Sequence, residues 1–169
     1  MVIRLFVRYY YIKTNTDIQK ASQLDAANLL YDNGMSAVFI SSVASSIMIF
    51  GFDDAVVNTN QLIWWFFISV ILLLRLCAVA EWKMRSSKSV SSGLLGIQRY
   101  TIGCIATAAA WSSYMVIFFN QLNDIKLFFS IIIVSAFAGG TAFLLSANRI
   151  TAISYSLILL LPMSLMGLF

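Results

Sequence analysis

Apolar residues in this chain run in long blocks rather than alternating with polar ones. Five blocks, over residues 35–51, 62–82, 100–119, 125–147 and 150–169, are separated by short polar stretches. A hydrocarbon layer about 30 Å thick is crossed by roughly 20 helical residues. Helices also satisfy their own peptide groups where no water is present. The pattern predicts an all-α fold: a polytopic transmembrane helical bundle with five visible spans. The last block closes without a polar flank, so five of an expected six spans are in view.

Residues 1–34 read differently. Thr16-Asp17-Ile18-Gln19 has the spacing of a capping box. Ile18, Ala21, Leu24 and Leu30 then recur near helical period. This predicts a cytoplasmic lead-in with a short amphipathic helix on the cytoplasmic face, ending near Asn33-Gly34, where the chain turns into span one. Arg4 and Arg8 interrupt the run from Val2 to Ile12, so it does not read as a secretory signal. The serine-rich stretch between Lys83 and Gln98 predicts a flexible loop. The links between spans three, four and five are so short that these spans are expected to pack as one sheaf.

Composition supports the block pattern. The chain is 60% hydrophobic and 11% charged, whereas a soluble domain carries about a quarter charged residues. Nine basic residues (Arg4, Arg8, Lys13, Lys20, Lys83, Arg85, Lys88, Arg99, Arg149) fall on one side of the expected spans, and Lys126 alone on the other. The positive-inside rule then places the N-terminus on the cytoplasmic side of an inner membrane. The net charge of +4 follows this topology and implies no nucleic-acid partner; the expected partner is the lipid bilayer.

Candidate chemistry is sparse. The chain has no histidine and no phosphate-binding loop or nucleophile elbow, and no carboxylate lies deep in a span. No enzymatic activity, metal or cofactor is therefore expected. Cys77 and Cys104 read as two small buried side chains on the reducing side. Trp64-Trp65 and Trp82 stand at opposite ends of span two, as an aromatic belt would.

Arg75 stands out, about seven residues and roughly 10 Å from the inner end of span two. It either faces the bundle interior as a ligand or signalling residue, or it snorkels to the inner headgroups or makes a structural hydrogen bond. Trp111, Ser112, Ser113 and Tyr114 form a cluster that either lines an outward pocket or packs between helices. Ser135 with Gly139, and Ala136 with Gly140, are small-x-x-x-small pairs permitting close contact within the bundle or between protomers. Pro162 frees a carbonyl in span five and is expected to bend it.

Together these landmarks resemble the N-terminal membrane sensor region of bacterial GGDEF/EAL cyclic di-GMP signalling proteins and of some sensor histidine kinases. The shared features are Leu29-Leu30-Tyr31 followed by Asn33, then Trp64, Trp65 and Arg75, Arg99-x-x-x-Gly103 with Trp111, Gly139-Gly140, and a late Pro162. Ser112 departs from the pattern, where a glycine is common. The resemblance implies a sensory input domain, working as a homodimer, that recognises an unknown small or lipophilic ligand and regulates a cytoplasmic cyclase or kinase domain absent from this chain. A small transporter subunit with serine-lined span one (Ser36, Ser41, Ser42, Ser45, Ser46) is the alternative, and a purely structural membrane protein is a third.

Overall fold

The computed structural model describes the backbone of residues 2–52, 58–85, 92–145 and 149–166, and within these the side chains from residue 21 onward except 142–144. Five helices follow in order: α1 (Val2–Phe50), α2 (Thr59–Met84), α3 (Ser92–Phe118), α4 (Asp124–Leu144) and α5 (Arg149–Met166), with a 3-10 turn at Phe119–Gln121. No strand occurs among the described residues. All five helices contain a stretch long and apolar enough to cross a membrane, and in α1 it runs from Ala21 to Phe50.

The distribution of side chains is that of a bundle made for an apolar surrounding. Phe66 and Ile102 are each 67% exposed, and many other large aliphatic and aromatic side chains share the outer surface. Meanwhile Ser41, Gln61, Arg75, Thr107 and Thr151 are buried. Water would penalise such an outer surface by about 25 cal/mol per Å², whereas lipid would not.

One stripe of α2 points inward: Gln61, Trp64, Ile68, Leu72, Arg75, Val79 and Trp82. Steps of three and four residues keep these positions on one side of a helix. Arg75 is thus in register with the core and does not reach outward, which sets aside snorkelling but not a structural hydrogen bond. The same stripe corrects the aromatic-belt expectation. Trp64 donates to the Ala110 carbonyl at 2.8 Å, and Trp82 donates to Asn28 Oδ1 at 3.2 Å while stacking on Tyr31 with centroids 4.7 Å apart. Trp65 donates to Ser46 Oγ at 3.3 Å. Indoles that sequence position assigned to the headgroup region instead clamp α2 to α1 and α3.

The expected turn at Asn33-Gly34 is absent, because α1 is helical throughout Val2–Phe50. Asn33 Nδ2 donates back to the Leu29 carbonyl at 3.2 Å. A Cβ at Gly34 would stand 2.9 Å from Val79 Cγ2 and 3.1 Å from the Tyr100 ring. Gly34 therefore permits close approach of three helices rather than a chain reversal. Ala27, Leu30 and Tyr31 belong to the buried core, so the lead-in merges into the first span with no boundary at residue 34. The Thr16 and Gln19 side chains of the expected capping box lie outside the described residues, and the backbone there is mid-helix.

Residues 92–98, expected in a flexible loop, form the first turns of α3. Here a Cβ at Gly93 would meet the backbone nitrogen of Leu24 at 2.7 Å, and one at Gly96 the Trp82 ring at 2.6 Å. These glycines mark a tight helix crossing. The side-chain oxygen of Asn58 accepts from Asn60 N at 3.0 Å at the start of α2, and that of Asn123 accepts from Lys126 N at 2.8 Å at the start of α4.

The expected sheaf of spans three, four and five also needs correction. Helix α3 packs against α1, α2 and α5, while α4 packs against α5 and α1. Among the described residues α4 meets α3 at the Trp111–Phe137 ring pair, with centroids 5.2 Å apart, and does not run along it. Ser135, Ala136, Gly139 and Gly140 are exposed, and a Cβ at Gly139 or Gly140 would meet nothing within 4 Å. Of the two roles expected for these small residues, close packing inside the bundle does not occur. Helix α5 continues through Pro162 to Met166.

Candidate functional site

The interior of the bundle is organised around Arg75, whose side chain is 9% exposed. Its Nη1 donates to Thr107 Oγ1 at 2.9 Å and its Nη2 to Cys104 Sγ at 3.3 Å. Thr107 Oγ1 donates its own proton to the Gly103 carbonyl at 2.9 Å, which leaves its lone pairs directed at the guanidinium. The Tyr100 ring lies beneath, with Arg75 Cζ 5.6 Å from its centroid. A Cβ at Gly103 would stand 3.0 Å from Arg75 Cγ. Glycine at this position opens the slot through which the arginine stem passes.

Tyr100, Gly103, Cys104 and Thr107 lie three to four residues apart on one face of α3, so a single helix presents the whole cradle. None of these was anticipated as a functional residue except Gly103, as part of a resemblance. A stripe of small and polar residues at helical spacing inside an apolar span was the available signal. Every partner in this cradle is neutral. The ion pairs among the described residues are Lys83–Asp32, Arg85–Glu81 and Arg99–Glu81, all exposed, and none reaches Arg75.

Arg75 and Tyr100 also stand between two cavities. One is a groove of about 260 Å³ between α2 and α3, walled by Ile71, Leu74, Val79, Ile102 and Ala106, with Arg99 at one end. Leu74 and Ile102 are exposed, so the groove opens sideways. The other is a chamber of about 170 Å³ to which all five helices contribute, among them Ser41, Arg75, Thr107, Phe137 and Tyr155. Ile40, Ala136 and Gly140 at its rim are exposed. This chamber is what separates α4 from α3 at this level.

The expected Trp111 cluster is a packing unit. Trp111 is fully buried and donates from Nε1 to Ser41 Oγ at 3.0 Å. It meets Trp64 edge-to-face at 5.4 Å, and Trp64 lies 4.5 Å from the Tyr114 ring. Tyr114 is fully buried, and its hydroxyl has no hydrogen-bond partner among the described residues. Ser112 is half-buried, and Ser113 donates to the Ala110 carbonyl at 2.8 Å. Trp111 does not line the Arg75 chamber but contacts Ser41 and Phe137, which do. The structure therefore brings neither Ser112 nor Tyr114 to Arg75.

The cysteines separate as well: Cys104 is buried and hydrogen-bonded to Arg75, while Cys77 is exposed on the outer face of α2, correcting the expectation that both are buried. Two further buried positions were not anticipated. Ser130 donates to the Lys126 carbonyl at 2.7 Å, and Lys126 Nζ lies 5.7 Å from the Phe52 ring centroid. Thr101 and Thr151 share a hydroxyl hydrogen bond of 2.9 Å that ties α3 to α5.

Set beside protein-family models, curated proteins and solved structures, the chain matches none of them. Its character therefore rests on the bundle itself: an all-helical protein whose five apolar helices enclose a cationic, otherwise neutral cradle.

Proposed function

We infer that this chain is a membrane-embedded signal-input module, inserted in a bacterial inner membrane with its N-terminus in the cytoplasm. It recognises a small or lipophilic ligand and changes how two protomers pack. The change passes to a cytoplasmic output domain of the diguanylate cyclase or kinase type. One observation carries this reading: Arg75, a cation held inside the bundle by neutral partners alone, lines both cavities. An arginine at such a depth costs about 3 kcal/mol on insertion scales. A packing arrangement that lets a ligand offset that cost is favoured by ligand, and differential binding of this kind is what shifts a two-state equilibrium. The exposed Ser135, Ala136, Gly139 and Gly140 supply a face on which a second protomer can approach closely.

The transport alternative lacks comparable support. Ser42, Ser45 and Ser46 donate to carbonyls of their own helix, and Ser41 accepts from Trp111. Of these serines Ser41 lines the chamber beside Arg75, and the others line neither of the two cavities described above.

Two experiments test the reading. Single cysteines introduced at Asp54 and Ser89, in the two connections flanking α2 that lie outside the described residues, are expected to react with an impermeant maleimide from opposite faces of the membrane. Labelling of both from one face overturns the topology. In a fusion to a cytoplasmic diguanylate cyclase domain, Arg75→Gln is expected to change cellular cyclic di-GMP at least threefold at equal membrane abundance. Unchanged output from this fusion overturns the sensory role.

A further inference from the structure

We propose that the groove between α2 and α3 binds a long-chain fatty acid drawn from the bilayer, with its carboxylate paired to the Arg75 guanidinium and its chain lying along Ile71, Leu74 and Ala106. The assignment rests on the sensory reading above in taking a membrane component as the stimulus.

Charge is the first argument. Thr107 and Cys104 occupy two of the five N–H donors of Arg75 but bring no negative charge. A guanidinium presents a planar fork that fits a carboxylate with two parallel hydrogen bonds. Its orientation is already fixed by the α3 cradle, so little ordering remains when the ligand arrives.

Shape is the second. The groove is lined chiefly by aliphatic side chains, and its exposed rim of Leu74 and Ile102 allows entry directly from lipid. At about 260 Å³ it is smaller than the usual range of roughly 300–1,000 Å³ for drug-sized ligands, which suits one acyl chain better than two.

Depth is the third. Arg75 precedes the end of α2 at Met84 by about nine residues, or roughly 14 Å of helix. A phospholipid headgroup stays near the interface, at the level where Arg85 and Arg99 are already paired with Glu81. A carboxylate on a single chain is small enough to sit lower. Gly103 keeps the approach clear, because a side chain there would press on Arg75 Cγ.

The test uses the full chain in phosphatidylcholine nanodiscs with radiolabelled oleate. Saturable binding of one oleate per protomer is expected. Arg75→Gln should weaken it at least tenfold, whereas Arg149→Gln, a cation outside the groove, should leave it unchanged. Ala106→Phe fills the groove without replacing any partner of the guanidinium, and should also weaken binding at least tenfold; it decides the matter if Arg75→Gln fails to fold. Oleyl alcohol should compete poorly, as it lacks the charge, and dioleoyl phosphatidic acid should compete poorly because of its second chain. Binding indifferent to the folded groove variants overturns the proposal, as does displacement by phosphatidic acid at parity, which would mark a phospholipid site. Oleate that binds as described yet leaves the cyclase fusion silent would overturn the sensory reading alone. A responsive fusion without oleate binding would overturn this assignment alone.

Discussion

Gly93→Ala is expected to destabilise the bundle by about 3 kcal/mol, as read by thermal or denaturant unfolding in detergent. The added methyl would stand 2.7 Å from the Leu24 nitrogen, 2.9 Å from its Cα and 3.0 Å from the Gln23 carbonyl carbon. All three are backbone atoms of α1, so no rotamer change can relieve the overlap. The helices must separate instead, and overpacking of a tight contact costs about 1–3 kcal/mol, occasionally more. Separation at this crossing also disturbs the Tyr31 hydroxyl, which donates to the Gly96 carbonyl at 3.2 Å one turn further on. Gly139→Ala is the matched control. Within one protomer it meets nothing within 4 Å, so in detergent-separated protomers replacing this helical glycine by alanine should add about 0.5–1 kcal/mol. If the two substitutions had equal effects, the α1–α3 crossing described above would be wrong.

Trp111→Ala is expected to cost about 3 kcal/mol by the same measurement, with Trp111→Phe costing only about 1 kcal/mol. Truncating a large buried aromatic residue removes about 3–5 kcal/mol in water-soluble proteins. The low end applies here because lipid-like surroundings are as apolar as the protein interior, so packing alone is lost. The alanine variant forfeits ring contacts with Trp64 and Phe137 as well as the hydrogen bond to Ser41. Phenylalanine keeps most of the ring contact and gives up the indole donor. An interhelical hydrogen bond of this kind averages about 0.6 kcal/mol and reaches about 1.7. Equal losses in the two variants would place the stabilisation in the hydrogen bond rather than in the ring packing.

The five apolar stretches were legible in the sequence because block length depends only on composition, which any order of packing preserves. Positions that depend on which way a side chain points were not. Trp64 and Trp82 sit near the ends of α2 where an interfacial ring would sit, and only the inward stripe they share with Ile68 and Val79 reveals them as core residues. Asn33-Gly34 has the local chemistry of a turn, yet tertiary contacts with Val79 and Tyr100 claim the glycine for a close approach. Arg75 was recognisable as anomalous from its neighbours alone. Its cradle was not, because Tyr100, Cys104 and Thr107 belong to another helix whose rotation no local pattern fixes. Conversely, the Gly139-Gly140 pair carries a strong packing signal and finds no partner within the chain.

The chamber bounded by all five helices has a mechanical consequence. Well-packed interiors resist compression, and empty volume is what yields. Hydrostatic pressure favours whichever state contains less void. Squeezing this protein therefore acts on that chamber by drawing α4 toward α3 and expelling space beside Arg75, so that one soft direction of the molecule runs through a buried cation.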